Sequence, residues 1–535
     1  MSFTAKHYFE TLLSIACAWI GFAGAFGATV TSVTTSDGGY HAFAPGKLFS
    51  FTVTLGEGSS GVTGYKWVDW KGNDLGPAVA VSNSLLGFAV NSPVGVTPRS
   101  GYYGLRLLPE GTVIGDPSGA IRKELGFALL RPFATNDTGY QHSTKWPYGM
   151  THGNIADPYL QYKWTKTTWP PAFWSWDAKT SKGSFNAAEW QASFDNVSKH
   201  GRTDLPLITG DPWSTTPADV KGIGILASLI FKSTPDVPAW EWGIEEAHEG
   251  SDFATSKSYY ENLAPKMREV RAQADSNGAA KTLLVHQVEG VWSTIPTNAD
   301  CAKAFFQSEA LQFVDVLSLH PYPWPDFISP DKWLDTHLKT VNAYKAASAK
   351  PNLPIWMTEI GCTIDDSGLG SNKMLDGGKP VTGLSRSDAA DFVVKTHAIA
   401  FAGGVSRIYW YNYKDADVSN NDAEQHFGMR DCWGYPKPAY AAYANFINLV
   451  GAKTYINLSH PADNVLSYQF SDEKHVCYVV WAYPVPASPA VVRLSSITGR
   501  ARIASVTDTV GTPLPFKKGG SIAIDQSPIF ITTDR

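Results

Sequence analysis

The chain is 535 residues long, which exceeds what one compact core usually organises, so two or three domains are expected. Hydrophobic residues make up 43% of it, a share typical of globular proteins and not of disordered ones. Charged residues make up only 17%, the formal net charge is -5, and the lysines and arginines form no basic cluster. The composition therefore excludes a nucleic-acid-binding protein that works through a basic surface.

Residues 1–28 have the organisation of a secretory signal peptide. Lys6 and His7 give a basic start, residues 11–27 form an apolar run, and Ala23-Gly-Ala25 resembles a cleavage site. Glu10 is unusual in such a segment, and an uncleaved membrane anchor is the alternative, although the run is short for a membrane span. We therefore expect an exported protein, secreted or periplasmic, without an integral membrane domain.

Export makes disulfides permissible, and four cysteines remain when the segment that contains Cys17 is removed. Four cysteines allow three pairings, and the sequence does not choose among them. None of them forms a C-x-x-C metal or redox motif. They are Cys301, Cys362, Cys432 and Cys477.

Residues 29–134 have the pattern of half-buried antiparallel strands. In the segment 48–55, Phe49, Phe51 and Val53 face one way and alternate with serine and threonine, between glycine-containing turns. Segments 101–108 and 125–131 behave similarly. We predict an N-terminal β-sandwich domain, immunoglobulin-like in pattern, that packs against or presents the rest of the chain.

Residues 140–450 change to strands that alternate with helical patterns, which is typical of an α/β fold with a parallel sheet. The predicted strands cover 148–152, 168–174, 205–209, 240–244, 281–286, 314–320, 355–359 and 407–412. The predicted helices cover 187–199, 220–232, 259–274, 302–312, 332–347, 387–402 and 440–449. Eight strands with intervening helices predict a (β/α)8 TIM barrel.

Residues 451–535 return to alternation, in the segments 476–481, 490–494 and 521–524. Glycine and proline separate these runs, so a C-terminal all-β domain, drawn as a second β-sandwich, is expected. The predicted architecture is thus a (β/α)8 TIM barrel with a β-sandwich before it and an all-β domain after it.

Two predicted barrel strands end in carboxylates. In Ala239-Trp-Glu-Trp-Gly-Ile-Glu-Glu246 the apolar run stops at Glu245 and Glu246, and in Leu353-Pro-Ile-Trp-Met-Thr-Glu359 it stops at Glu359. In parallel barrels the site is built from the C-terminal ends of the strands. Two carboxyl groups facing each other there are what glycoside hydrolysis requires, at about 5–5.5 Å for retention.

These motifs resemble the glycoside hydrolase clan A superfamily, and most of all its family 39-type members, over residues 148–449. The resemblance implies that Glu245 is the acid/base and that Glu359, in Ile355-Trp-Met-Thr-Glu-Ile-Gly361, is the nucleophile. It further implies that His320 and Tyr322, in the stretch Asp315-Val-Leu-Ser-Leu-His-Pro-Tyr322, line the site. Trp410 would be the aromatic residue that stacks on the sugar.

The strand ends offer further candidate residues, and the sequence departs from the family pattern at some positions. His286, at the end of the fifth strand, and Glu246 are additional candidate substrate-binding residues, and Glu246 is also an alternative acid/base. Ile244 stands where the family has an asparagine that binds the sugar 2-hydroxyl, and no strand-borne arginine is evident early in the barrel. Glu245 as a helix cap, and His320, His286 and Trp410 as packing residues, are alternative interpretations.

The predicted function is retaining hydrolysis of O-glycosidic bonds by double displacement, with an oligo- or polysaccharide substrate and without a metal or organic cofactor. The 19 tryptophans agree with a sugar partner, although core packing alone accounts for many of them. The alternative is a non-catalytic carbohydrate-binding or scaffold protein on a degenerate glycosidase barrel, a hypothesis that Ile244 supports. The sequence leaves the sugar, the linkage, endo or exo attack and the oligomeric state open.

Overall fold

The computed structural model describes most of the chain beyond residue 26. The described residues are 27–34, 39–46, 49–56, 59, 61–81, 87–92, 99–115, 121–130, 145–166, 174–177, 182–208, 220–243, 253–288, 300–365, 374–376, 378–416, 422–517 and 519–535. Almost all of the predicted signal peptide lies outside these residues, as do Glu245, Glu246 and Cys17.

The N-terminal part contains ten strands in two five-stranded sheets. They are β1 (Gly27–Thr34), β2 (Ala42–Phe43), β3 (Ser50–Leu55), β4 (Gly64–Val68), β5 (Val79–Ala80), β6 (Gly87–Asn91), β7 (Gly101–Leu108), β8 (Val113–Gly115), β9 (Ile121–Arg122) and β10 (Leu125–Leu129). One sheet has the order β6-β3-β1-β8-β9 and the other β2-β10-β7-β4-β5. Phe51, Val53 and Trp67 belong to one hydrophobic cluster that draws on both sheets, so the predicted alternation in 48–55 does bury one face.

The central part begins with β11 and is built on one large parallel sheet. Its strands are β11 (Tyr148–Thr151), β12 (Trp164–Lys166), β13 (Trp174–Asp177), β14 (Lys182–Phe185), β15 (Thr203–Asp204), β16 (Leu207–Ile208), β17 (Ala239–Trp242), β18 (Leu283–Gln287), β19 (Val316–Leu319), β20 (Ile355–Ile360), β21 (Met374–Asp376), β22 (Lys379–Val381) and β23 (Val405–Trp410). Nine of them form a sheet of order β15-β12-β11-β23-β20-β19-β18-β17-β16, and the pairs β13-β14 and β21-β22 are separate antiparallel hairpins.

The large sheet curls strongly. Its two edge strands, β15 and β16, are consecutive in the chain and are separated only by Leu205 and Pro206, so the two edges of the sheet come together. Helices lie between the strands, as parallel connections require. The helices are α1 (Ala187–Lys199), α2 (Val220–Ser233), α3 (Phe253–Ser276), α4 (Asp300–Phe306), α5 (Leu334–Ala346), α6 (Arg386–Ala402) and α7 (Pro438–Leu449), with 3-10 turns at Glu309–Phe313, Pro330–Lys332 and Ala423–His426.

The second parallel strand is not where the sequence predicts it. The structure has Trp164–Lys166 as this strand, whereas the predicted segment 168–174 lies mostly outside the described residues and ends in the antiparallel hairpin. The prediction was wrong for two reasons. Lys166 in the short run Trp164–Lys166 indicates a solvent-exposed face, and the aromatic residues of the segment 168–174 give it the stronger strand pattern. The other seven predicted strands and all seven predicted helices overlap observed ones.

The inside of the curled sheet is filled by a hydrophobic floor. Six of its residues lie in strands and Leu205 lies between β15 and β16. The members are Trp164, Leu205, Ala239, Val285, Val316, Trp356 and Tyr409. Arg407 stacks its guanidinium between Trp164 and Trp356, 3.9 Å from each ring centroid. These tryptophans are packing residues, as the alternative interpretation of the tryptophan count expects.

The C-terminal part contains seven strands and one short helix. They are β24 (Thr454–Ala462), β25 (Val465–Ser471), β26 (His475–Ala482), β27 (Ala490–Arg493), α8 (Leu494–Thr498), β28 (Ile503–Thr507), β29 (Ser521–Ile524) and β30 (Ile529–Asp534). A sheet of order β24-β25-β26-β30-β28 and the pair β27-β29 enclose a hydrophobic cluster that includes Val480, Val492 and Ile531.

Buried polar contacts join the three parts. Arg122, from the N-terminal part, lies 2.5 Å from Asp431 and 3.4 Å from the centroid of Trp433 in the central part. Trp481, from the C-terminal part, donates a 2.6 Å hydrogen bond to Asp331 Oδ1. Contacts of this kind hold flanking sheets in a fixed position against the central sheet.

The structure also bears on the cysteine pairings and on membrane-spanning segments. In the part of the chain that the structure describes, no disulfide bond joins Cys301, Cys362, Cys432 and Cys477 in any of the three possible pairings. Within the described ranges, no helix combines the length and the apolar content needed to cross a membrane.

Candidate active site

A polar layer lies directly above the hydrophobic floor, and the two-residue period of a strand explains it. Lys166, Glu241, Ser318 and Thr358 each follow a floor residue of the same strand by two positions, so their side chains also point inward. All four side chains are buried. The same period brings Tyr411 to the inner side, two positions beyond Tyr409. We call Lys166, Glu241, Ser318 and Thr358, together with His320, the polar layer.

Glu359 reaches this layer through an irregularity in its strand. Met357 pairs with Ile408 and Ile360 pairs with Trp410, so β20 has one residue more than β23 over the same stretch. Such a bulge re-aims a side chain that would otherwise face outward. Thr358 and Glu359 consequently both project inward at the C-terminal end of the strand.

The Glu359 carboxylate is held from two sides. Lys166 Nζ donates to Oε1 at 2.9 Å, and the Tyr322 hydroxyl donates to Oε2 at 3.3 Å. The side chain is 8% exposed, so water screens these contacts little.

Lys166 also binds a second carboxylate. Its Nζ lies 2.9 Å from Glu241 Oε2, and neither side chain has any exposed surface. Burial alone would lower the pKa of Lys166, but the charges of Glu241 and Glu359 outweigh it and raise that pKa. Lys166 is therefore charged, and one ammonium bridges two carboxylates inside the curled sheet.

Thr358 and His320 complete the layer. The Thr358 hydroxyl donates to Glu241 Oε1 at 2.7 Å, and it lies 2.9 Å from His320 Nε2. Burial, helped by Lys166, lowers the pKa of His320 well below its usual value, so the imidazole is neutral at neutral pH. Its 3.8 Å approach to Glu359 is thus not an ion pair.

Aromatic rings form a wall beside Glu359. Tyr322 packs edge-on against Tyr411 and Phe427, with centroids 6.4 and 5.7 Å apart, and Trp324 stacks on Phe427 at 6.3 Å. His152 meets Tyr411 at 5.8 Å. Tyr411 is only half-buried, beyond the C-terminal end of β23.

Further carboxylates lie near this wall, on the segments after β20 and β23. Partial burial and the nearby carboxylates of Asp422, Asp376 and Glu359 raise the pKa of Glu424. Glu424 belongs to the 3-10 turn Ala423–His426, which begins at the cap residue Asp422. In the part of the chain that the structure describes, no group of three or more His, Cys, Asp or Glu side chains is arranged to hold a metal ion.

The structure brings some of the predicted site residues together. Glu359, His320 and Tyr322 converge, and Glu241 joins them through Lys166. Glu245 and Glu246 follow β17 but lie outside the described residues.

Two predicted residues lie elsewhere, and both are corrections. Trp410 faces α6, where it stacks on His397 at 5.9 Å and meets Phe392 at 6.0 Å. His286 faces α3 and α4, and its Nδ1 lies 2.7 Å from the carbonyl oxygen of Trp242. Both residues occupy the outward positions of their strands, so alternation directs them into the layer between sheet and helices. Burial lowers the pKa of His286 to about 4, which is typical of a neutral packing histidine.

Lys166, Glu241, Thr358 and Tyr411 are site residues that the sequence prediction did not include. Counting in steps of two from the apolar residues of Trp164-Thr-Lys166 and Ala239-Trp-Glu241 would have found the first two. The same count from Tyr409 predicts an inward side chain for Tyr411 and an outward one for Trp410.

Comparison with solved structures finds this fold in a family 39 glycoside hydrolase from the gut symbiont Bacteroides cellulosilyticus WH2. The TM-score is 0.62 at 15% sequence identity, over 94% of this chain and 100% of that chain. A thermostable mutant of a Cellvibrio japonicus xylanase and an Ig-like-domain GH10 xylanase from termite gut are less similar, each with a TM-score of 0.40 and 11% identity. They cover 56% and 76% of this chain and 97% of their own.

The sequence itself matches no protein-family model and no curated protein. The likeness therefore lies in the fold. It extends over nearly the whole of both chains in the first comparison, flanking sheets included. The sequence resemblance to family 39 glycoside hydrolases is matched by a likeness of fold to one such enzyme.

Proposed function

We propose that this protein is a retaining glycoside hydrolase that cleaves O-glycosidic bonds of an oligo- or polysaccharide, with Glu359 as the nucleophile. The observation that carries the proposal is the Glu359 carboxylate itself. It lies at the C-terminal end of a parallel strand, is bound by an ammonium group at 2.9 Å, and stands beside an aromatic wall. We infer that the curled sheet is a (β/α)8 barrel with this site at its mouth.

The two oxygens of Glu359 have different surroundings, which suggests how it would act. Oε1 is held by Lys166 toward the inside of the sheet, and Oε2 faces the Tyr322 hydroxyl at the longer distance of 3.3 Å. Oε2 is therefore the oxygen that attacks the anomeric carbon, and Tyr322 can release it as the bond forms. Lys166 keeps the carboxylate in position until then, through the 2.9 Å contact with Oε1.

The acid/base is assigned to Glu245, with Glu246 as the alternative. Glu241 lies within reach of the same ammonium as Glu359, and Glu245 follows it by only four residues. A carboxyl group there would protonate the leaving oxygen and then activate water. Retention predicts that it stands about 5–5.5 Å from Glu359.

The substrate class follows from the wall of rings. Tyr411, half-buried and next to Tyr322, is suited to pack on the apolar face of a sugar ring, the role first assigned to Trp410. The flanking sheets would act as β-sandwich and all-β modules, and the N-terminal segment would direct export.

The test begins with a panel of 4-nitrophenyl glycosides and the stereochemistry of the first product. Proton NMR of the sugar released by the best substrate should show the anomeric configuration of that substrate. Glu359→Ala should lose activity, and added azide should restore turnover as the glycosyl azide of inverted configuration, because azide replaces the missing nucleophile. An inverted first product from the wild-type protein would contradict the proposal.

The acid/base is identified separately. Glu245→Gln and Glu246→Gln are compared on a substrate with a good leaving group and on one with a poor leaving group. Loss of the true acid should affect mainly the poor leaving group, since the good one needs little protonation. Saccharide binding without turnover, unchanged by Glu359→Gln, would instead favour the carbohydrate-binding alternative.

A further inference from the structure

The polar layer contains more charge than a single nucleophile requires. Lys166 Nζ lies 2.9 Å from Glu359 Oε1 and 2.9 Å from Glu241 Oε2, and the three side chains are at most 8% exposed. One ammonium thus serves two carboxylates, which leaves the group with one net negative charge. The two carboxylate oxygens lie less than twice 2.9 Å apart, a distance at which like charges oppose each other's ionisation.

We propose that Lys166 and Glu241 are positioning residues that tune Glu359 in opposite directions. Lys166 holds the Glu359 carboxylate in place with its positive charge, and Glu241 limits that effect because it shares the same ammonium. This inference rests on the proposed function, in which Glu359 is the nucleophile.

Glu241 is fixed in its competing position. Its Oε2 forms the ion pair with Lys166, and its Oε1 accepts a hydrogen bond from the Thr358 hydroxyl at 2.7 Å. Both oxygens are therefore in contact with a partner, which fixes the side chain. Thr358 is itself bound by His320 Nε2 at 2.9 Å. The sharing of Lys166 is therefore built into the polar layer and does not depend on a mobile side chain.

The sharing has a chemical consequence for Glu359. A carboxylate that had the whole ammonium to itself would ionise readily but would be a weak base and a weak nucleophile. A carboxylate with no cation, next to a second carboxylate, would be protonated over much of the acidic range. In the bridged arrangement both influences act on Glu359 at once, through one shared ammonium.

Other titratable groups also face Glu359 and enter the same balance. Burial lowers the pKa of His320 and that of His152, and Tyr322 donates a hydrogen bond to Glu359. Glu424 contributes a further negative charge from the segment after β23. Because these groups are common to all variants below, differences between variants report on Lys166 and Glu241.

The experiment is the pH dependence of kcat/KM for the wild-type protein and three variants. The acidic limb reports the ionisation of the nucleophile in the free enzyme. Lys166→Met should move that limb to higher pH and Glu241→Gln to lower pH, each by about one to three pH units. Lys163→Met is the matched control. Lys163 is a buried lysine on the same segment whose Nζ binds the carbonyl oxygen of Gly201, so its loss should leave the limb unmoved.

Shifts in the same direction for Lys166→Met and Glu241→Gln, or no shift in either, would overturn the inference. Glu241→Gln has the shape of glutamate; its amide oxygen can accept from Lys166 and its amide nitrogen can donate to the Thr358 hydroxyl, so it carries the test even if the lysine variant does not fold.

A second readout separates this inference from the proposed function. Carbon-13 NMR of the Glu359 carboxyl, assigned by its loss in Glu359→Gln, follows the titration without any substrate. If no glycoside is hydrolysed, the proposed function fails, and the opposite NMR shifts in the two variants still decide whether Lys166 and Glu241 tune Glu359.

Discussion

Asp391 makes the contact between α6 and the C-terminal part sensitive to pH. Its Oδ2 accepts a hydrogen bond from Ser527 Oγ at 2.8 Å, and its Oδ1 lies 3.0 Å from Thr509 Oγ1. The Thr509 hydroxyl also lies 2.8 Å from the carbonyl oxygen of Pro528. One hydroxyl proton cannot serve two acceptors equally well, whereas a protonated Asp391 donates to Thr509 and leaves the Thr509 proton for Pro528.

The electrostatics agree with this geometry. Burial, only partly offset by Lys395, raises the pKa of Asp391 from 3.8 to about 7. The folded state then holds the proton more tightly than the unfolded chain does. The stability that the proton contributes is complete below about pH 4, declines as the pH rises, and is lost above about pH 7. Its total is about 4 kcal/mol, of which about 3 kcal/mol is lost between pH 5 and pH 8.

Asp391→Asn tests this reasoning, because an amide donates and accepts at these positions as the protonated acid does. The free energy of unfolding of the variant, minus that of the wild-type protein, should rise by about 3 kcal/mol from pH 5 to pH 8. Ser527→Ala is the control, since it weakens the same contact and keeps the titrating group. Differential scanning calorimetry at the two pH values measures both. A pH-independent difference for Asp391→Asn would refute the protonated contact.

Three further predictions concern packing and the aromatic wall. Asp157→Ala leaves the buried Arg430 without the carboxylate that lies 3.3 Å from its Nη1, and should cost about 3–5 kcal/mol in denaturant unfolding. Gly361→Ala places a methyl carbon 1.7 Å from the carbonyl oxygen of Tyr411, so activity should fall sharply with the deformation of the site, as kcat/KM will show. Trp410→Phe should lower the melting temperature and leave KM unchanged, whereas Tyr411→Ala should raise KM. A raised KM for Trp410→Phe together with an unchanged KM for Tyr411→Ala would instead indicate that Trp410 contacts the sugar.

Much of the fold was predictable because burial leaves a periodic record in the sequence. The helices 187–199 and 386–402 were located to within one residue, and a capping residue, Asn186 or Ser385, precedes each of them. The strand containing Glu359 was equally clear, because a carboxylate at the end of an apolar run has few structural explanations.

The remaining features depended on information that is not local. Lys166 is buried only because two strands distant in sequence bring Glu241 and Glu359 to it, and no pattern within Trp164–Lys166 indicates those partners. Trp410 was assigned to the site because the family resemblance implies a sugar-stacking aromatic on the eighth strand, although strand alternation gives the inward position to Tyr411. The bulge that turns Glu359 inward likewise appears only when β20 is paired with β23.

The most direct measurement is to trap the glycosyl–enzyme intermediate. The protein is incubated with a 2-deoxy-2-fluoro glycoside that has a good leaving group and carries the sugar of the best aryl substrate, and a peptic digest is analysed by mass spectrometry. Our account predicts time-dependent inactivation and a single labelled peptide, with the sugar on Glu359. A label on another carboxylate, or turnover without any covalent label together with an inverted product, would contradict it.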